Sequence, residues 1–209
     1  FLAMCDSRVD GVRPNYESYR YALWKLLLAN DHDFDLIGTR EDNSEYPRFM
    51  EQRIDGDHQG EGGATTITMV EMEDEISMLQ PTVILLGIGG NDLVEGQNDP
   101  NIVVGTLDRL AFIIDGLRDL NPEVTILIEQ IAPGHADFMT RGLWWLFERF
   151  NESNIELASE KHSEDTPLLV VDMVTGWQDS YLIDEVHYTE EGAMWIAERY
   201  YDVLRDVLQ

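Results

Sequence analysis

Hydrophobic positions along this chain switch repeatedly between two periods. Tyr16, Tyr19, Leu23, Leu26 and Leu27 recur at the i, i+3, i+4 spacing of an amphipathic helix that opens after Pro14. Residues 34–38 then read as a short strand ending in Gly38, and residues 39–63 as a long polar, Gly-rich loop without period. A loop of that length inside a compact domain usually carries function. Residues 65–79 predict a helix that stops before Pro81, with Glu71, Glu73, Asp74 and Glu75 on a solvated face. Val83-Ile84-Leu85-Leu86 is an unbroken apolar run, the pattern of a strand covered on both faces. A helix over 102–117, a strand over 124–128, a helix over 138–160 and a strand over 168–171 continue the alternation. A last helix runs from about 190 to 208; Thr189 is its N-cap, and Glu190 and Glu191 suit the positive end of its dipole. Phe1 to Cys5 reads as the end of a first strand whose beginning lies upstream.

Five strands alternating with helices specify a three-layer α/β/α fold with a five-stranded, mostly parallel sheet. No repeat or low-complexity linker divides the chain, so residues 1–209 read as a single domain. Composition then narrows the function. With 14 basic against 41 acidic side chains, the formal charge is −27, which repels phosphate backbones and argues against a nucleic-acid partner. No apolar stretch approaches the ~20 residues of a membrane span, so no membrane partner is expected. Cys5 stands alone, which excludes an intramolecular disulfide and a four-cysteine zinc site. Lys25 and Lys161 are the only lysines, a bias that fits either salt adaptation or an ordinary acidic surface. Oligomeric state is not encoded in any of these features.

Parallel α/β sheets bind ligands beyond the carboxyl ends of their strands. Asp6-Ser7-Arg8 follows the first strand, Gly87-Ile88-Gly89-Gly90-Asn91-Asp92 the third, and Asp184-Glu185-Val186-His187 comes after the fifth, past a Gly-Trp loop. A hydroxyl, an amide flanked by glycines, and an Asp/His pair thus converge on one sheet edge, the inventory for acyl transfer. A serine hydroxyl is a weak nucleophile that needs an imidazole to take its proton. Asp184, three residues before His187 on a tight turn, can hold the other ring nitrogen. Asn91 can donate to a developing oxyanion, and Gly60, Gly62 and Gly63 can offer backbone N–H groups to the same charge.

Those blocks, Asp6-Ser7, Gly63, Gly89-x-Asn91-Asp92 and Asp184-x-x-His187, resemble the four signature blocks of the SGNH (GDSL-like) hydrolase superfamily across nearly the whole chain. Tyr19-Arg20, Asp33-Phe34-Asp35-Leu36-Ile37-Gly38-Thr39 and Asp57-His58-Gln59-Gly60-Glu61-Gly62-Gly63 are similar to carbohydrate esterase family three, whose members include acetyl xylan esterases. The resemblance implies a flavodoxin-like SGNH hydrolase fold and a serine esterase that removes acetyl groups from carbohydrate such as acetylated xylan. It implies Ser7 as nucleophile, His187 as base and Asp184 as its orienter. The oxyanion hole it implies is formed by Ser7 N–H, Gly63 N–H and the Asn91 side chain, with no cofactor. A secreted or periplasmic location follows from the resemblance alone. Lipase, thioesterase or arylesterase activity on non-sugar esters stays open, as does a non-catalytic carbohydrate-binding protein on the same fold.

Cys5 stands where that family usually has Gly, Arg8-Val9 where it has Ile-Thr, and Glu185 and Tyr188 where Gly and Pro flank the His. Cys5 reads as a buried strand residue rather than a second nucleophile. Arg8 is expected to meet an anionic substrate group or a surface acid, and Trp177, in the loop before Asp184, to contact substrate. In Trp144-Trp145 one ring is expected in the core and the other near the surface, since helical neighbours point about 100° apart. No metal site is expected: Asp55, Asp57 and His58, and Asp31-His32-Asp33, lack a metalloprotease or EF-hand spacing and read as solvated loop residues.

Overall fold

The computed structural model describes residues 1–208, without the side chains of Glu73 and Asp74, on which part of the expected acidic helix face falls. The long apolar runs form four parallel strands, β1 (Leu2–Cys5), β4 (Val83–Gly87) and β5 (Thr125–Gln130) inside the sheet and β6 (Leu168–Asp172) at its edge. They lie parallel, with Leu2 opposite Ile84, Ile84 opposite Ile126, and Ile126 opposite Leu168. Leu2, Met4, Ile84, Leu85, Leu86, Ile126 and Leu127 are fully buried, so consecutive side chains on both faces are covered. That double burial is why these strands carry no polar alternation.

The helices that cover the sheet are α2 (Arg20–Ala29), α6 (Ile102–Leu120), α7 (Arg141–Lys161) and α8 (Glu190–Val207). α2 packs against α8, and α6 against α7, which gives the three layers. Thr140 and Thr189 cap α7 and α8 through their hydroxyls, accepting from Leu143 N–H and Gly192 N–H. Shorter helices fill the strand ends: α1 (Ser7–Asp10), α3 (Thr66–Glu71), α4 (Glu73–Ser77) and α5 (Gly90–Glu95). The helix predicted over 65–79 is therefore broken, at Met72.

The sheet has six strands in the order β2-β3-β1-β4-β5-β6, and the extra pair lies inside the expected 39–63 loop. β2 (Arg40–Glu41) runs antiparallel to β3 (Asp57–Gly60), and β3 runs parallel to β1. The predicted second strand contributes only Ile37, which bridges to Leu2 and donates to Phe1 C=O; Gln59 and Gly60 then continue the same position beside Met4 and Cys5. One strand position is thus built from two segments separated by an excursion. At the crossover a Cβ on Gly38 would overlap the His58 backbone, so only glycine lets the two segments meet.

Polar bonds tie the excursion down. The Arg20 guanidinium is almost fully buried and reaches Val9 C=O, Asp10 C=O, Gly56 C=O and Asp42 Oδ2, the last at 2.9 Å. His58, expected in solvent, is buried on β3, where its Nδ1 accepts from Gly60 N–H. Burial, reinforced by the positive charge of Arg20, pushes its pKa down to about 3, so the ring is held neutral.

Candidate active site

Ser7 stands where β1 ends and α1 begins. The Asp6 carboxylate caps that helix by accepting from Arg8 N–H at 2.9 Å, which fixes the turn carrying Ser7. Burial raises the pKa of Asp6, against the pull of Arg8. Cys5 precedes it, buried, at φ 137°, a conformation an L residue rarely adopts and one that the glycine usual in the similar family would take freely.

From the far end of the chain comes the loop between β6 and α8. His187 Nε2 lies 2.9 Å from Ser7 Oγ, and His187 Nδ1 lies 2.8 Å from Asp184 Oδ2. The other carboxylate oxygen of Asp184 accepts from Val186 N–H at 2.9 Å and His187 N–H at 2.8 Å, folding the four residues into a tight turn. Burial works to raise the Asp184 pKa, but these donors outweigh it and hold the group below the ordinary carboxylate value. Ser7 near one end of the chain and the Asp184–His187 turn near the other thus form one hydrogen-bonded line.

Asn91 lines the cleft with Ser7, and Gly63 directly precedes Ala64, to which Asn91 is bonded. Gly63, in the turn after β3, has φ 77° and open space where a Cβ would be. Asn91 lies in the first turn of α5, after Gly89 at φ 115°, and its amide donates to Ala64 C=O at 2.9 Å. One amide N–H is thereby spent on orienting the group. The two segments are locked together by Asp92, whose carboxylate accepts from Thr66 N–H at 2.9 Å and Thr66 Oγ1 at 2.5 Å. Arg109, from α6, donates to both Thr66 Oγ1 and Asp92.

Two residues expected at the substrate are placed differently. Arg8 Nε donates to Val186 C=O at 2.9 Å and Nη1 to Ala132 C=O at 2.8 Å, while the guanidinium lies over the Tyr188 ring. It borders the cleft, yet these bonds join the Ser7 turn to the His187 loop instead of meeting a surface acid. Trp177 is half-buried among Tyr181, Tyr188 and Trp195, edge-on at 5.4–6.0 Å, and does not line the cleft around Ser7. Aromatic packing in that loop outcompetes exposure of the ring. Trp144 and Trp145 are 44% and 57% exposed, so neither is a core residue. Leu143, Leu146, Phe147 and Phe150 take the inward stripe of α7. Among the described residues no cluster of His, Cys, Asp and Glu is arranged to hold a metal.

Sequence reasoning missed three features. Tyr16, expected on a helix face, lies before α2 in a segment where Glu17 N–H bonds Tyr188 C=O, and its ring stacks on His187 at 3.9 Å. The Thr66–Asp92–Arg109 clamp joins residues far apart in the chain, and Asp92 beside Asn91 is its one local sign. Glu129, at the end of the apolar run of β5, is fully buried and accepts from Tyr200 Oη at 2.5 Å. Burial raises its pKa to about 7. A carboxylate ending a strand of Ile126-Leu127-Ile128 was the available signal.

A serine beyond β1, an amide beyond β4 and an imidazole beyond β6, on a three-layer parallel sheet, define the class: an SGNH-type hydrolase fold. The sequence profile of the GDSL-like lipase/acylhydrolase family matches residues 6–195, and the chain belongs to that family. Solved structures agree on the fold. A carbohydrate esterase family 3 protein from Talaromyces cellulolyticus superimposes with a TM-score of 0.80 at 18% identity, covering 99% of this chain and 96% of that one. A serine-to-alanine mutant of an acetyl esterase, with an acetate ion, gives 0.81 at 18% identity, with the same coverages. A family 3 carbohydrate esterase from Clostridium thermocellum gives 0.76 at 22% identity, covering 100% and 98%. No curated protein matches the sequence.

Proposed function

We propose that this protein is a serine esterase that removes short acyl groups, acetyl above all, from carbohydrate through an acyl-enzyme. The observation that carries the reading is the unbroken line Ser7 Oγ–His187 Nε2–His187 Nδ1–Asp184 at 2.9 and 2.8 Å, with Asn91 lining the same cavity as Ser7. Ser7 Oγ attacks the ester carbonyl as His187 Nε2 takes its proton, and Asp184 stabilises the imidazolium. The tetrahedral oxyanion forms against Ser7 N–H, Gly63 N–H and the Asn91 amide. A pre-aimed donor of this kind typically lowers the barrier by ~2.7–4 kcal/mol. His187 then returns the proton to the departing sugar oxygen as the C–O bond breaks. Water, deprotonated by the same imidazole, cleaves the acyl-enzyme and restores Ser7.

The small size of the acyl group is supported by the space beside Ser7. That half-open cavity measures about 30 Å³ and is walled by Phe147, Ile131 and Val94, room for roughly two to three water-sized groups. An acetyl methyl fits within it, whereas a long chain would have to leave it past Phe147 and Ile131, which disfavours the lipase alternative. The carbohydrate part rests on likeness to proteins whose names include family 3 carbohydrate esterases and an acetyl esterase.

The test is Ser7→Ala assayed on p-nitrophenyl acetate. Turnover should fall by about four orders of magnitude or more with the circular dichroism melt unchanged; turnover near wild type overturns the assignment. Octanoate esters should be far poorer substrates than acetate esters for the wild-type enzyme.

A further inference from the structure

A concave feature beside the cleft takes no part in the reaction above. Pro133 and Val174, in the loops after β5 and β6, face the outward stripe of α7 across a groove of about 300 Å³, within the range of small-molecule sites. Its two innermost walls, Ile131 and Phe147, are also walls of the Ser7 cavity, so groove and cleft meet at those side chains. The floor is preformed: Asn151 accepts from Ile131 N–H at 2.7 Å and donates to Ile131 C=O at 3.0 Å, pinning the loop to α7.

The two exposed tryptophans are not equivalent with respect to this groove. Trp144 lines it, whereas Trp145, one residue on and turned about 100° around the helix, does not. Trp144, Glu148 and Glu152 follow at i, i+4 and i+8, so a flat apolar ring is succeeded by two carboxylates along one stripe. Glu152 is also within 3.4 Å of Arg149, which orients it without removing it from the groove wall.

We propose that this groove binds a sugar unit of a neutral, acetylated glycan. Trp144 is the platform for the flat C–H face of a pyranose, and Glu148 and Glu152 accept from its hydroxyls. The proposal rests on the reading that the esters are carried by carbohydrate. The chemistry selects this occupant. A long acyl chain laid there would strip water from two carboxylates without giving them donors, an unfavourable exchange. An anionic ligand would meet those carboxylates in a molecule of charge −27. A neutral sugar supplies both an apolar face and hydrogen-bond donors. An aromatic ring left in water at such a position gains most of its contact area only when a planar ligand covers it.

The experiment compares kcat/KM on acetylated xylo-oligosaccharides with kcat/KM on p-nitrophenyl acetate, which carries no sugar to occupy the groove. In Trp144→Ala the ratio of the two should drop about tenfold, chiefly through KM for the oligosaccharide. Trp144→Phe should recover much of it, and Trp145→Ala should leave the ratio where it is. Three results decide the matter. The drop in Trp144→Ala alone supports the site. An unchanged ratio, with wild type deacetylating the oligosaccharide, removes the groove and leaves the esterase reading intact. Wild type that cleaves the aryl acetate but no acetylated oligosaccharide overturns the carbohydrate reading and this site with it.

Discussion

The two walls of the cleft are held by opposite means. On the Gly63–Asn91 wall, the anchoring group is Asp92, buried and saturated by Thr66 and Arg109, so two backbone segments are joined through a closed polar network. On the His187 wall, Asp184 is half exposed and acts within its own turn, and the loop is tied to the Ser7 turn through Arg8 and stacked under Tyr16. In the proposed reaction the first wall must receive charge without moving, because a donor that has to reorganise stabilises a transition state less. The second must pass a proton back and forth and admit water. A buried clamp suits the first task and a solvent-facing turn the second.

Among the groups that support Ser7 and His187, breaking the donor wall should cost the most. Asn91→Ala is expected to lower kcat on p-nitrophenyl acetate by about 10²–10³-fold with little change in KM. A loss confined to KM would assign the amide to ground-state binding instead. On the proton wall, Arg8→Met removes two donors from Val186 C=O and Ala132 C=O, and each bond of this charged kind contributes roughly 1.5–3 kcal/mol. Part of that appears as a lower melting temperature and part as a kcat about tenfold down with a shifted pH profile, which Arg8→Lys should restore only in part. If Arg8 instead binds an anionic substrate group, Arg8→Met will raise KM for charged esters and leave the neutral acetate untouched.

The smallest effect tests what lies behind both walls. Glu129 titrates at about 7 in the folded protein against 4.5 as the ordinary value. The folded state therefore keeps a proton that the unfolded chain has released. Its stability contribution is full below about pH 4.5 and declines as pH rises through about 7, by roughly 3 kcal/mol at most. Glu129→Gln keeps an acceptor for Tyr200 and removes that decline. Thermal melts between about pH 5 and 7.5 should show the variant losing less stability than wild type; parallel curves would mean that the carboxyl is ionised throughout.

The sequence was most legible where burial is read locally. The runs 83–86 and 124–128 became central strands, and 168–171 the edge strand beside them, because apolar continuity follows from the layers that cover the sheet on both sides. It was least legible in the excursion 39–56 and β3. Asp57-His58-Gln59-Gly60 has no apolar alternation, and its burial depends on partners elsewhere: Gln59 bonds Thr39 and Glu75, and Arg20 ties down Asp42 and Gly56.

The same division runs through the candidate site. Local chain chemistry alone placed Ser7, Asn91 and the Asp184–His187 turn beyond strand ends, since a parallel sheet delivers such positions to one edge. Tertiary packing decided the rest: which ring covers His187, where the Arg8 guanidinium spends its donors, and that Trp177 turns inward while Trp144 and Trp145 turn out. Hydrophobic periodicity records only that a residue faces in or out. A hydrogen bond or ring contact between residues a hundred positions apart leaves no local trace, because its partner is chosen by the fold.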